Sequence, residues 1–166
     1  LEARLAEQQR EAKALKAALR KATAERRNRT LPEVFADDEE QFRWEVDFAY
    51  LVRVDEVQRA EYPLADFVVG PAFLNRMDSL QGISRDKILD VVVDVLSDRA
   101  KDIATREVHK WLEHRAGGQE VRHDGARAWR ASLQVRSNSA RRLKYWRLPD
   151  GRIELDSVGV HDDGIR

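Results

Sequence analysis

ARAWRASLQVRSNSARRLKYWRLPDGRIELDSVGVHDD, residues 126–163, decides the fold. Three runs in it alternate between apolar and polar residues, the pattern of half-buried strands. In the first, 127–136, Trp129, Ala131, Leu133 and Val135 share one face, and Ala128, Arg130, Ser132, Gln134 and Arg136 the other. Ser137-Asn138-Ser139 is a turn. The second run, 141–148, sets Leu143, Tyr145 and Arg147 against Arg142, Lys144, Trp146 and Leu148. Pro149-Asp150-Gly151 is a hairpin signal, because Gly tolerates positive φ. The third, 152–160, sets Ile153, Leu155, Ser157 and Gly159 against Glu154, Asp156, Val158 and Val160, and runs into His161-Asp162-Asp163.

Working back, residues 65–69 are rich in β-formers and read as a strand that Gly70-Pro71 ends. Residues 71–80 predict a short helix with Phe73, Leu74, Met77 and Leu80 on one face. Ser84 is a good N-cap for a longer one. Leu89, Val92, Val93, Leu96, Ala100, Ile103, Ala104, Val108, Trp111 and Leu112 fit one helical face, so the helix either runs to His114 or breaks near Ser97-Asp98. Gly117-Gly118 is expected to close it. His109 and His114 are five apart, not on the i,i+4 face of a helical metal pair, and read as surface residues.

Two helices are expected before this. Asp37-Asp38-Glu39-Glu40 opens one over 38–61, since carboxylates complement the positive end of the helix dipole. Phe42, Val46, Ala49, Leu51, Val54 and Val57 line it, and Trp44 and Phe48 add a second apolar edge, so other elements should cover it. Residues 1–27 carry a heptad pattern: Leu1, Gln8, Leu15 and Ala22 at one position, Leu5, Ala12, Leu19 and Arg26 at the other. That predicts a coiled coil and self-association, first as a homodimer, through Leu1, Leu5, Leu15 and Leu19.

Charge is zero overall and uneven along the chain. Residues 1–30 hold 9 basic and 4 acidic side chains, residues 31–100 hold 7 and 16, and residues 121–152 hold 9 and 2. An anionic partner for the basic strands, or docking of the acidic helix on them, would use this asymmetry. With no cysteine the chain has neither disulfides nor thiolate metal sites, and a cytoplasmic location is expected. No apolar run is long enough for a bilayer, so no membrane partner is expected. No cofactor and no metal site is read from the sequence. A chain opening on Leu1 is expected to continue a longer protein with domains upstream.

The order strand, short helix, longer helix, three antiparallel strands resembles the RelE/ParE superfamily of small bacterial toxins. The likeness spans residues 64–163. It rests on FVVGPAFLNRMDSL with SRDKILDVVVDVLSD, then on AWRASLQV with RRLKYWRLPDGRIELDSVGVHDD. The chain departs from the family in ending on His161-Asp162-Asp163 without a terminal Tyr. The expected chain is α+β: an N-terminal coiled-coil helix (1–30) and an acidic linker helix (31–63), which the free-standing family members lack, then a β-α-α-β-β-β domain (64–166) for which the resemblance implies an antiparallel sheet packed on helices. The resemblance also implies action on RNA, the ribosome or gyrase. RelE-type members cleave mRNA with scattered basic and polar residues, and the positions matching that pattern are Arg130, Lys144, Arg147 and His161.

Attack of a 2′-hydroxyl needs a base, an acid and positive charge for the phosphorane. His161 titrates nearest neutrality, and Asp162 or Asp163 would raise its pKa. Arg130, Arg142, Lys144 and Arg147 are candidate phosphate holders, with Arg136 and Arg141 as further nucleic-acid contacts and Tyr145 as a stacking surface. Trp129 and Trp146 read first as core or rim aromatics. The resulting expectation is an endoribonuclease-like toxin domain, with a non-catalytic protein-interaction or oligomerisation module of a larger assembly on the same fold as the alternative.

Overall fold

A computed structural model of the chain describes residues 31–113, 117–136 and 140–160, and Glu7, Glu11, Lys13 and Ala14 before them. The coiled-coil seam, with Leu1, Leu5, Leu15 and Leu19, lies outside the described residues, as do His114 and His161. The chain divides into two compact units, Leu1–Glu33 and Val34–Arg166. The second is α+β.

Helix α1, Asp38–Arg53, begins as its sequence predicts. The Asp37 side chain accepts from the Glu40 N–H at 2.9 Å, a cap worth about 1 kcal/mol, and three carboxylates occupy the first turn. Its buried face carries Phe42 and Val46. Removing a Phe side chain from water contributes roughly 2–3 kcal/mol, and Phe42 is fully buried against Phe67 and Phe73. The helix ends well before residue 61. Val54 is extended and buried, and Arg59 turns back to donate to the carbonyls of Leu51 and Val54. Residues Glu56–Gln58 make only a 3-10 turn.

Strand β1, Phe67–Val69, leads to α2, Phe73–Ser79, and α3, Arg85–Leu96. The Ser84 hydroxyl caps α3 by accepting from the Lys87 N–H. Ile88, Leu89, Val91, Val92, Val93, Val95 and Leu96 make α3 buried over most of its circumference. The helix then breaks at Ser97-Asp98. The Ser97 hydroxyl donates back to the Val93 carbonyl at 2.7 Å, and Asp98 takes a left-handed conformation at φ 57°.

Of the two readings, the break near Ser97-Asp98 is the one that forms, and the run toward His114 does not. Two 3-10 turns, Arg99–Asp102 and Ala104–Arg106, carry the chain to a short strand, β2, His109–Lys110. Trp111 and Leu112 therefore sit in a hairpin, not on a helix. Gly117, at φ 67°, serves its turn, with Leu112 bridged to Gln119.

Strands β3 (Arg127–Ser132), β4 (Arg141–Arg147) and β5 (Ile153–Val160) follow. The sheet order is β1-β5-β4-β3-β2. The sheet is mixed, not antiparallel throughout: β1 lies parallel to β5, with Phe67 opposite Ile153. The helical segment 73–96 between them supplies the crossover that parallel neighbours require. At the exit from β1 no side chain fits, since a Cβ on Gly70 would lie 2.5 Å from the Leu155 carbonyl oxygen.

Pairing places Trp129, Tyr145 and Leu155 on the helix side, with Ala131, Leu143 and Val158 beside them. The alternation in β5 changes phase at a bulge. Lys144 lies opposite Ser157 and Tyr145 opposite Leu155, leaving Asp156 as the extra residue. Val158 thus joins the helix-side core, where unbroken alternation sets it against Leu155.

The acidic helix does not lie on the basic strands. Glu45 of α1 pairs with Arg85 at 2.7 Å, and Arg53 forms a fork with Asp94 of α3 at 2.7 Å for each bond. Arg106 adds a second guanidinium to the same fully buried Asp94 carboxylate. Burial works against the Arg53 cation, but the hydrogen bond and charge of Asp94, with Asp90 behind, hold its pKa above the ordinary value. α1 is thereby fixed in the helix layer, across the sheet from Arg130, Lys144 and Arg142.

Candidate nucleic-acid interface

The strand register sorts the candidate residues by face. Arg130 lies opposite Lys144, and Ser132 opposite Arg142, on the side away from the helices. His109 of β2 lies opposite Arg130 and shares that side. Gly159 lies opposite Arg142, and a Cβ there would meet no other group within 4 Å among the described residues. Arg147, Tyr145 and Arg141 belong to the helix side by the same register.

Lys144 is not available to a ligand. It is 4% exposed, and its ammonium donates to Glu120 at 3.0 Å. The same ammonium lies 5.1 Å from the Trp111 ring centre and 4.8 Å from that of Trp146. Two aromatic faces and one carboxylate complete its surroundings, an arrangement that stabilises a cation through the ring quadrupoles. Trp146 is itself buried, and its indole N–H donates to Asp156 at 2.8 Å. The bulge at Asp156 aims that carboxylate. Its second oxygen accepts from the Ser157 hydroxyl. Arg122 closes the end of the cluster, over the Trp146 ring and hydrogen-bonded to Glu154 and Asp124.

Tyr145 is 1% exposed in the helix-side core. Burial raises its pKa, with Arg147 pulling the other way. It has no surface to stack on a base. Arg147 is exposed at the far edge, 4.8 Å over the Trp129 ring and 3.4 Å from Asp98. Arg141 donates to Gln134 and lies against the α2–α3 loop near Gly82. Arg136 is exposed in a turn at φ 60°.

Of the eight candidates, the open face therefore unites Arg130, Arg142 and the screened Lys144. The Arg142 Nε is buried and makes no hydrogen bond. The guanidinium has no carboxylate partner among the described residues, and so holds charge that an external anion could take. The Ser132 hydroxyl beside it donates to Glu107 at 2.9 Å. Sequence spacing points to none of Trp111, Glu120 and Arg122 as site residues: Trp111 fits a helical face, and an acid two residues beyond Gly118 gives no sign of reaching a lysine 24 positions away. Among the described residues no group of three or more His, Asp or Glu side chains could hold a metal ion. None of their helices is long and apolar enough to cross a membrane. Comparison of the chain with protein-family models, with curated proteins and with solved structures finds no match.

Proposed function

We propose that residues 64–163 form a RelE/ParE-like toxin-type domain that acts on RNA or the translation machinery through the open face of its sheet. The observation that carries the reading is the pairing that sets His109, Arg130 and Arg142 together on the side the helices leave free. Arg142, with no carboxylate partner among the described residues and Gly159 opposite it, is the principal phosphate contact. His161 follows β5 and is the candidate acid or base. The coiled coil at 1–27 would present the domain as a homodimer in the cytoplasm.

A second reading, a binding module without cleavage, has its own support. Lys144 is held by Glu120, Tyr145 is in the core, and Arg147 lies on the other face. Of the five side chains offered for chemistry or stacking, two thus lie on the opposite face from Arg130, and Lys144, though opposite Arg130, is occupied by Glu120.

Binding and cleavage of a labelled 20-nucleotide single-stranded RNA separate the two. The toxin reading expects binding that weakens with salt, at least fivefold loss in Arg142→Ala and in Arg130→Ala, and cleavage lost in His161→Ala. Binding without cleavage, unchanged in His161→Ala, selects the module. Absence of RNA binding at 50 mM salt overturns both forms of an RNA-facing role.

A further inference from the structure

The outer edge of β1 is a second candidate surface, at the opposite end of the sheet from β2. In the parallel pairing, Asp66 and Gly70 bond to β5: the Ile153 N–H donates to the Asp66 carbonyl, and the Gly70 N–H to the Leu155 carbonyl. Phe67 and Val69 consequently turn their backbone groups outward. β1 is terminal in the strand order. The outward Phe67 carbonyl accepts two hydrogen bonds at 3.2 Å from the Arg43 guanidinium, which stands where a neighbouring strand would donate. Apart from this Arg43 contact, the outward backbone groups of Phe67 and Val69 pair with no other strand among the described residues, and such an edge is a template for another chain.

Beside the edge, α1 and residues 64–67 enclose an open groove of about 850 Å³. Tyr50, Leu51 and Leu64 form its apolar wall, and Leu51 is 55% exposed. Four charged side chains line it. Arg43 is engaged with Glu39, and Arg152 with Asp150. Asp47 and Asp66 are exposed and have no ion pair among the described residues. The uncompensated charge of the groove is therefore negative.

We infer that the groove binds an extended, lysine- or arginine-bearing segment of a partner protein, added to the sheet as a strand on β1. Backbone pairing to Phe67 and Val69 supplies affinity. Alternating side chains place apolar groups on Leu51 and Leu64 and cations toward Asp47 and Asp66. Charge complementarity selects a basic strand over an acidic one and over a second copy of this chain, whose own edge carries the same carboxylates. This surface is independent of the RNA-facing reading, which uses the other side of the sheet.

The probe is a fluorescein-labelled octapeptide alternating Lys and Val, titrated into the full chain by anisotropy. Its partners are the same peptide with Glu for Lys and a version with alternate backbone amides methylated. The Lys peptide should bind at least tenfold more tightly than either. The Asp47→Lys, Asp66→Lys double variant should lose at least tenfold, while amide exchange at Phe67 and Val69 slows on binding in the wild type. Equal affinity for the Lys and Glu peptides overturns the inference, as does a methylated peptide that binds as well as its parent. Concentration-dependent self-association abolished by the same double variant also overturns it, by assigning the edge to a second copy.

Discussion

Lys144 donates to Glu120 across 3.0 Å, from a side chain only 5% exposed to one that is 32% exposed. A residue that the sequence offers as a phosphate holder thus ties Glu120 to the sheet. Glu120→Ala leaves a buried ammonium without its acid and should cost about 2 kcal/mol, below the range for fully buried pairs because Glu120 is one-third in water. Lys144→Met keeps the stem between the two indoles and should remain within about 1 kcal/mol of wild type. Urea unfolding measures both. RNA cleavage abolished in a fully folded Lys144→Met protein would return this lysine to a catalytic role.

Asp94 accepts from two arginines at no solvent exposure, so its neutralisation should be severe. Asp94→Asn leaves Arg53 and Arg106 partly unpaired and is expected to cost about 3–5 kcal/mol. Arg106→Met leaves the Arg53 fork intact and should cost less than half as much. Thermal unfolding should show a fall in Tm of roughly ten degrees or more for the first variant. Equal losses for the two would show that the triad acts through Arg106 alone.

Two strand-region glycines should respond oppositely to one methyl group. A Cβ at Gly70 meets the Leu155 carbonyl oxygen at 2.5 Å, whereas one at Gly159 meets nothing within 4 Å among the described residues. Gly70→Ala must push β1 from β5 and should destabilise by about 1–3 kcal/mol. Gly159→Ala should stay within about 0.5 kcal/mol of wild type. Denaturant midpoints at equal m-value would check the contrast.

Acid should weaken the Arg122 cluster through Asp124. The Arg122 hydrogen bond, helped by the Ala126 N–H, lowers the Asp124 pKa from 3.8 to about 2. A carboxyl depressed on folding stabilises above its unfolded pKa and loses that contribution as pH falls through the folded one. The Asp124 contribution should therefore be complete above pH 5 and fade between about pH 4 and pH 2. Asp124→Asn should flatten the dependence of Tm on pH within that window alone. An unchanged slope would remove Asp124 from the acid response.

Local signals led to much of this fold. Asp37, Ser84, the 73–79 helix and the β4 alternation are set by neighbours within a few residues, and each appears where its pattern places it. The errors came where distant groups decide. Val108, Trp111 and Leu112 continue a helical spacing, but the left-handed Asp98 and the pairing of His109 with Arg130 turn the chain into a strand and a hairpin. The β5 bulge inverts the faces of Ser157 and Val158 because Trp146 and Ser157 both bind the Asp156 carboxylate. At the candidate site, alternation correctly separated Arg142 and Lys144 from Arg147. It had no means of revealing that Glu120 and Trp111 would enclose Lys144.

The parallel alignment of Phe67 with Ile153 also bears on how the protein is made. These partners are separated by about half the chain, and the second is synthesised after β1, α2, α3, β3 and β4. Loop-closure entropy for such a pair must be overcome before its contacts contribute, so the sheet should complete late and slowly for its size. During synthesis β1, α2 and α3 would emerge with their apolar surfaces still lacking β5, which exposes them to aggregation or to a holding chaperone.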